Sequence, residues 1–222
     1  MSIDVNLTEI LNWRYSTKAF QAGKTIPEKT WDLIEDSLRF AASSTNAQPW
    51  HFIVAATDEG KTRLAKGTED GFAFNTQKIL DASHVVLFCA KTDLSEDYLL
   101  SVLEQEKADG RFQSSDFPPE KMHQGRSHFV NIHKEKLNDV TDWNEKQVYL
   151  NIGSTLLAAS ALKVDSVPME GIDAERLDKE FDLSSKGLKA SVMVAFGYRS
   201  DSDFNAKLPK SRLEKSEIIT RI

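Results

Sequence analysis

Apolar residues recur at helical spacing in several segments of the chain. Trp31, Ile34 and Leu38 lie three to four residues apart, as on one face of a helix. The preceding Thr25-Ile26-Pro27-Glu28 predicts a helix start, because Thr25 is suited to cap the helix and proline is tolerated in the first turn. Further helices are predicted from near Leu7, over 94–108, over about 119–138 and over 142–162.

The segment 142–162 differs from the other predicted helices because it is apolar around much of its circumference. Its stretch from Val148 to Ala159 has few polar side chains. A helix of this kind needs burial on several sides. The pattern therefore favours a central position or a subunit interface.

Three runs have the length and composition of strands. They cover 51–57, 83–91 and 189–198, and they are rich in apolar or β-branched residues. Helices interleave irregularly with these three or four strands, which favours an α+β fold over a regular βαβ alternation. No composition break divides the chain, so we expect one domain over residues 1–222.

The last segment, from Ser200 to Ile222, is long and mixed in charge. It ends in the β-prone Glu217-Ile218-Ile219-Thr220. Alone it would make a poor core element, so we expect it to cover another surface, such as that of a second subunit.

Composition narrows the class of protein. The chain has 222 residues, 40% of them hydrophobic, and a formal net charge of -6, which argues against a nucleic-acid or anionic-membrane binder. Its one cysteine, Cys89, lies in an apolar run and is expected to be a buried, inert thiol. The first residues lack the pattern of a secretion signal and no apolar run is long enough to span a membrane, so a cytoplasmic location is expected.

Several kinds of chemistry are not supported by the motifs. The ten glycines form neither a dinucleotide-binding G-x-G-x-x-G nor a phosphate-binding loop, which disfavours a Rossmann domain. His123, His128 and His133 are five residues apart, a spacing that rotates roughly 140° around a helix, so they do not share one face as metal ligands. There is no G-x-S-x-G motif for acyl transfer.

Two clusters of cations are suited to an anion. Arg14-Tyr15-Ser16-Thr17-Lys18 brings two cations and hydroxyl groups together, and Leu208-Pro209-Lys210-Ser211-Arg212 supplies a second cluster near the end of the chain. Guanidinium and hydroxyl donors together are able to hold a phosphate ester. A solvated helix end explains the first cluster alone equally well.

Two further segments place polar groups or flexible backbone next to apolar elements. The string from Ser43 to Trp50 carries five hydrogen-bonding side chains between a helix and a strand. A polar aromatic ring or its side chain would satisfy them, as would a capped turn. Val167-Pro168-Met169-Glu170-Gly171 ends in glycine, which permits close approach of a ligand, although it is also compatible with a simple turn.

Together these motifs resemble the FMN-dependent nitroreductase family, in the group of oxygen-insensitive NAD(P)H nitroreductases and flavin reductases. The resemblance runs from about Leu11 to Arg212. It is carried, in order, by 14–20, 43–52, Phe74-Asn75 with Lys78, 81–86, 146–151, 167–171 and Phe204-Asn205-Ala206-Lys207-Leu208-Pro209-Lys210-Ser211-Arg212.

The resemblance implies a central, mostly antiparallel sheet flanked by helices, in an intertwined homodimer that exchanges its C-terminal segments. It implies FMN sites built across the subunit interface. The residues implied at the cofactor are Arg14, Ser16, Lys210 and Arg212 around the phosphate, Tyr15 within the same segment as Arg14, Lys18, Asn75 and Lys78 at the pyrimidine edge, Ser43, Ser44 and Asn46 from the partner, and Pro168, Met169, Glu170 and Gly171 along the ring. Phe74 and Phe129 are implied at the substrate.

The implied activity is electron transfer from NADH or NADPH to nitroaromatics, quinones or related acceptors by a ping-pong mechanism. The chemistry takes place on flavin N5, so no protein nucleophile is needed, and Lys18, Lys78 and Glu170 would have supporting roles. A flavin or dihydropteridine reductase and a non-catalytic flavin-binding protein are the alternatives. The physiological acceptor and the choice between NADH and NADPH are left open.

Overall fold

The computed structural model describes residues 6–113 and 117–222, and an antiparallel sheet lies at its centre. Four strands form the sheet in the order β1-β2-β4-β3. They are β1 (Trp50–Ala55), β2 (His84–Lys91), β3 (Asp165–Met169) and β4 (Leu188–Gly197). All three pairings are antiparallel, as predicted.

Helices cover both faces of this sheet. They are α1 (Leu7–Trp13), α2 (Glu28–Arg39), α3 (Asp58–Ala65), α4 (Thr76–Asp81), α5 (Glu96–Ala108), α6 (Pro119–Asn131), α7 (Val140–Ala161), α8 (Ala174–Phe181) and α9 (Lys215–Ile218). A turn of π-helix, Ile132–Lys136, follows α6 directly.

The alternation of side chains along β2 divides the core into two parts. Val85, Leu87 and Cys89 point into one cluster with residues of α3, α4 and α8, whereas Val86 and Phe88 point into the other with residues of α2 and α7. Both faces of β2 are buried, which explains why its sequence is a continuous apolar run without alternating polar residues. Burial raises the pKa of the Cys89 thiol to about 12, so the expectation of a buried, unreactive cysteine agrees with the structure.

Helix α7 is the long central helix that its apolar circumference predicts. Buried amides tie it to its neighbours: Asn151 Nδ2 donates to the Leu38 carbonyl at 2.8 Å and Asn144 Nδ2 to the Lys91 carbonyl at 2.8 Å. Tyr149, Leu150 and Leu157 remain on its exposed side. This helix therefore has apolar surface beyond what its own chain covers.

Most of the predicted elements are confirmed, with small shifts at their ends. Helix α2 begins at Glu28, but its N-cap is Pro27 and no side chain caps it, so the prediction of a Thr25 cap was wrong. The segment predicted as one helix over about 119–138 changes to the π-turn after Asn131. The short helices α3, α4 and α8, and strand β3, were not predicted as separate elements.

The end of the chain differs from the prediction of a β-prone segment. Residues 215–218 form the short helix α9, and Ile218 and Ile219 are exposed. Leu208 and Leu213 are exposed as well. No helix within residues 6–113 and 117–222 has the length and apolar character needed to cross a bilayer.

Candidate functional site

The segment that follows α1 is fastened along the β3 side of the sheet. Ser16 forms an isolated parallel bridge with Ser166, and the Thr17 amide donates to the Ser166 carbonyl at 3.3 Å. Asn205 Nδ2 donates to the Ser16 carbonyl at 2.9 Å, which brings the region after β4 against the same segment. Two clusters nearly 200 residues apart in sequence therefore meet in the fold.

Two buried carboxylates fix this meeting point. Asp203 accepts from the Tyr15 hydroxyl at 3.0 Å and from the Lys18 amide at 2.9 Å. Asp165 binds Arg199 through both guanidinium Nε and Nη2, the shortest contact being 2.6 Å. The Arg199 guanidinium also lies 4.5 Å from the centre of the Tyr15 ring. Burial and the Asp203 hydrogen bond raise the pKa of Tyr15, so this phenol stays a donor.

Beside this framework lies a cavity of about 420 Å³ lined by cations and no carboxylates. Arg14, Lys210 and Arg212 line it with Tyr15 and Ser16. The Lys210 ammonium donates to the Leu11 and Arg14 carbonyls. In residues 6–113 and 117–222, no ion pair involves Arg14, Lys210 or Arg212.

The cations of this cavity repel one another. Burial, followed by the charge of Arg212, lowers the pKa of Arg14, and burial followed by Arg14 and Arg212 lowers the pKa of Lys210. A bound anion would relieve both effects. The cavity thus has the donor set that an anion site requires, and no carboxylate lines it.

A second group of cations, the lysine group, consists of Lys78 on α4 and Lys18 from the segment after α1. Lys78 is buried, and its ammonium donates to Asn75 Oδ1 at 2.9 Å and to the Phe74 carbonyl. Burial, followed by the charge of Lys18, lowers the pKa of Lys78. Neither lysine forms an ion pair within the described ranges. The predicted neighbours Lys18, Asn75 and Lys78 are therefore brought together.

The segment after β3, which contains Glu170 and Gly171, packs against Asn75 beside Lys78. Asn75 Nδ2 donates to the Gly171 carbonyl at 2.9 Å. A Cβ on Gly171 would approach Asn75 Nδ2 to 3.0 Å and the Phe74 ring to 3.1 Å, so glycine permits this close contact. On the other side of the segment, Pro168 and Glu170 line a cavity with Tyr149, whose hydroxyl donates to Glu170 Oε1 at 2.6 Å.

Met169 is an exception among the residues predicted along the ring. Its side chain is buried in the core cluster formed with α3, α4 and α8. Along β3 it alternates with Pro168, which points to the opposite face. Met169 is therefore placed to offer its backbone, rather than its side chain, to a ligand along the ring.

The loop 43–48 is held apart from the cation cavity within a single chain. The Ser43 hydroxyl accepts from the Gln48 amide at 2.9 Å, the Ser44 amide donates to Gln147 Oε1 at 2.8 Å, and Asn46 Nδ2 donates to Glu106 Oε1 at 2.8 Å. None of these bonds joins the loop to the Arg14 segment or to the lysine group.

The two predicted substrate residues present their rings to solvent. Phe74 is 68% exposed and Phe129 is 51% exposed, so neither is an ordinary core residue. The Phe74 ring is near the lysine group, because Lys78 Nζ lies 5.4 Å from its centre. Phe129 stands on α6, away from this group in sequence and on a different element.

Sequence reasoning did not find Asp165, Arg199, Asp203 or Tyr149. Each acts through a partner that is far away in sequence, such as the 188 positions between Tyr15 and Asp203. The one local signal is Asp203, which caps the 3₁₀ turn at Phe204–Lys207 by accepting from the Asn205 amide.

The fold and the two cation groups define an α+β protein with a cation-lined cavity that suits an anionic ligand. Comparison with known proteins is more specific. The model of the nitroreductase family matches residues 11–198. The chain belongs to the nitroreductase family.

Individual relatives support this assignment over nearly the whole chain. An oxygen-insensitive NAD(P)H nitroreductase from Enterobacter cloacae is 49% identical over 93% of this chain and 95% of its own. The major NAD(P)H-flavin oxidoreductase of Aliivibrio fischeri is 34% identical over 93% of this chain and 94% of its own.

Solved structures show the same fold. A protein from Exiguobacterium sibiricum, solved in complex with FMN, has a TM-score of 0.80 at 21% identity, covering 98% of this chain and 97% of its own. FMN also fits the residues of this chain, since the unpaired cations Arg14, Lys210 and Arg212 match a phosphate and the Lys18–Lys78 group matches a ring that accumulates negative charge.

The cation cavity makes a prediction about which part of FMN it binds. Replacing Arg212 in Arg212→Gln should weaken FMN binding about tenfold or more, because a charge-assisted contact to phosphate is lost. Riboflavin, which lacks the phosphate, should bind the variant and the wild type equally. Fluorescence titration of the apoprotein with each ligand measures both affinities.

The matched control is Arg63→Gln, since Arg63 is a surface arginine paired with Glu180. It should leave both affinities unchanged. An equal loss of FMN and riboflavin binding in Arg212→Gln would show that Arg212 does not recognise the phosphate.

Proposed function

We propose that the protein is an FMN-dependent NAD(P)H oxidoreductase that reduces nitroaromatics, quinones or related small acceptors. The observation that carries this function is a set of five cations with no carboxylate partner within residues 6–113 and 117–222: Arg14, Lys18, Lys78, Lys210 and Arg212. In a chain with a net charge of -6, such a set needs an anionic ligand.

The two cation groups have different tasks. Arg14, Lys210 and Arg212, with the Ser16 hydroxyl, would hold the phosphate. Lys18 and Lys78 would lie where negative charge develops, and Asn75 would orient Lys78 through its 2.9 Å hydrogen bond. FMN supplies a ring that accepts hydride from a reduced nicotinamide and passes electrons to an acceptor.

The remaining residues position the reactants. The exposed rings of Phe74 and Phe129 are suited to stack against a planar molecule. In a ping-pong sequence the nicotinamide would bind there first and the nitroarene would follow after the nicotinamide has left. Gly171 lets Asn75 and Phe74 pack closely against the backbone after β3, and the Tyr149 hydroxyl donates to the Glu170 carboxylate. Catalysis would consist of placement and electrostatics, without a protein nucleophile. A need for NADH or NADPH favours a cytoplasmic location.

The relatives support the nitroreductase function first and a flavin reductase function second. The Enterobacter cloacae relative is a nitroreductase at 49% identity, and the Aliivibrio fischeri relative is a flavin oxidoreductase at 34% identity. A dihydropteridine reductase on the same scaffold and a flavin binder without turnover are further outcomes that the test distinguishes.

The test of the function is the visible absorption of the purified protein during anaerobic addition of NADH or NADPH. The expected result is a flavin spectrum that bleaches and then recovers with nitrofurazone or menadione. Recovery with free FMN or a quinonoid dihydropteridine alone would assign the flavin or pteridine reductase. A yellow protein that never bleaches, or one that cannot be reconstituted with FMN, would contradict the proposal.

The burial of Lys78, together with the charge of Lys18, predicts a pH effect. Because the pKa of Lys78 is lowered, its charge is lost as the pH rises through a value below that of an ordinary lysine, and flavin reduction should slow there. In Lys18→Gln the repelling charge is gone, so the pKa of Lys78 rises and the alkaline decline should move to higher pH. The plateau rate should fall about tenfold.

Stopped-flow reduction by NADH across the pH range measures both effects. Lys24→Gln is the control, because Lys24 is exposed and packs on the Tyr198 ring rather than near Lys78. An alkaline decline that stays in place in Lys18→Gln would remove the assigned role of the lysine pair.

We further propose that the protein works as a homodimer in which residues 1–222 act as one domain per subunit and the C-terminal segment lies on the partner. The exposed apolar side of α7 and the exposed Leu213, Ile218 and Ile219 support this arrangement. So does the position of Ser43, Ser44 and Asn46, which bond away from the cations of their own chain and would contribute to the site of the partner.

Removal of residues 213–222 tests the exchanged segment, since it deletes these apolar side chains and keeps Arg212. Loss of this buried area should weaken the dimer and, with it, FMN binding. Sedimentation over a concentration series measures the association. The variant Lys215→Ala/Glu217→Ala, which retains the apolar residues, should remain dimeric. Unchanged association after the truncation would refute the exchange.

A further inference from the structure

Helix α6 carries Phe129 but is weakly anchored by apolar contacts. Only Arg126 and Val130 among its residues are fully buried. Its remaining side chains are exposed or partly exposed, and the core cluster beneath it is the smallest of the three, with Ala47, Leu94, Leu99, Val130 and Trp143 as its buried members. The position of α6 therefore depends heavily on the contacts of Arg126.

Arg126 is a buried arginine with a specific partner. Arg126 is 1% exposed, and its Nη2 donates to both carboxylate oxygens of Glu106 on α5 at 2.7 Å. Its Nε donates to the Thr45 carbonyl at 2.9 Å. One side chain thus joins α6, α5 and the loop 43–48.

Glu106 completes the connection to the loop. Its Oε1 also accepts from Asn46 Nδ2 at 2.8 Å. Thr45, Asn46 and Gln48 have φ values of 52°, 54° and 47°, in the left-handed region that residues other than glycine rarely adopt. Such a backbone persists only where its surroundings hold it, and Arg126 and Glu106 supply contacts at Thr45 and Asn46.

The buried ion pair of Arg126 and Glu106 has a desolvation cost that an apolar contact between the two helices would not have. Arg126 Nη1 is buried without a hydrogen-bond partner. Apolar side chains of similar volume often give equal or greater stability than a buried ion pair. What apolar side chains cannot supply is the simultaneous set of directed bonds to Thr45 and Asn46.

We propose that Glu106 and Arg126 are positioning residues that couple the acceptor side of the site to its cofactor side. Through α6 they place Phe129, and through the loop 43–48 they place Ser43, Ser44 and Asn46 toward the FMN site of the partner subunit. The inference rests on the proposed function, which gives Phe129 and the loop their roles. Disturbing the pair then alters acceptor binding and cofactor binding together.

The test compares two pairs that join the same helices. Glu106→Gln keeps the shape of the buried pair and removes its negative charge. Glu96→Gln is the matched control, because Glu96 on α5 binds His123 on α6 at 2.6 Å but forms no hydrogen bond to the loop 43–48 within the described residues. The measurements are the FMN Kd of the apoprotein, the visible circular dichroism of bound flavin, and KM and kcat for nitrofurazone.

Glu106→Gln should raise both the FMN Kd and the KM for nitrofurazone about tenfold and change the flavin dichroism, with a smaller effect on kcat. Glu96→Gln should leave the FMN Kd and the dichroism as in the wild type. Arg126→Lys, which retains the charge, should restore part of the acceptor affinity relative to Arg126→Met.

If Glu106→Gln does not fold, the double variant Glu106→Gln/Arg126→Met leaves no buried charge unpaired and takes its place in the same measurements. A folded variant with wild-type FMN Kd and dichroism overturns the coupling while leaving the proposed function intact. A rise in KM alone reduces the pair to an anchor of α6 and also overturns the coupling. A wild-type protein that binds no FMN overturns the proposed function and the coupling together.

Discussion

Mutual repulsion among unpaired cations is the constraint on which the candidate site depends. The fold holds Arg14, Lys210 and Arg212 around one cavity although burial, followed by neighbouring positive charge, lowers the pKa values of Arg14 and Lys210. Buried carboxylates make this arrangement possible without neutralising it. Asp203 holds the backbone of Lys18, and Asp165 takes up the charge of Arg199. The buried carboxylates of the framework thus have their partners, whereas the cations that line the cavity have no carboxylate beside them. This arrangement favours the binding of an anion.

The sheet determines where these groups meet. β2 and β4 are buried on both faces and fix the centre, while β3 at the edge offers Ser166 to the Ser16 segment. After β4 ends at Gly197, Arg199 binds Asp165 on β3 and Asn205 binds the Ser16 carbonyl. The cluster 208–212 therefore lies beside the cluster 14–18. Packing therefore produces a site whose parts are separated by most of the sequence.

Local patterns were sufficient for the elements with strong periodicity and for the types of residue at the site. The β2 and β4 runs, the spacing in α2 and the apolar circumference of α7 each predict their element to within a few residues. Strand β3 was missed because Pro168 interrupts its pattern, which an edge strand tolerates. Asp165, Asp203, Glu106 and Arg126 could not be found locally, since burial and a distant partner define their roles.

The segments that surround the cation cavity are held by more buried contacts than helix α6, which carries Phe129. The cofactor side rests on the sheet edge and on buried carboxylates, with directed bonds to Tyr15 and Lys18. The proposed acceptor side rests on α6, which has few buried side chains and is followed by a π-turn. Segments with few buried contacts open at lower free-energy cost than a core does. Under the proposed function, a site of this construction would specify its cofactor closely and its acceptor loosely, and such tolerance would suit a reaction that requires only a planar molecule stacked within reach of the ring.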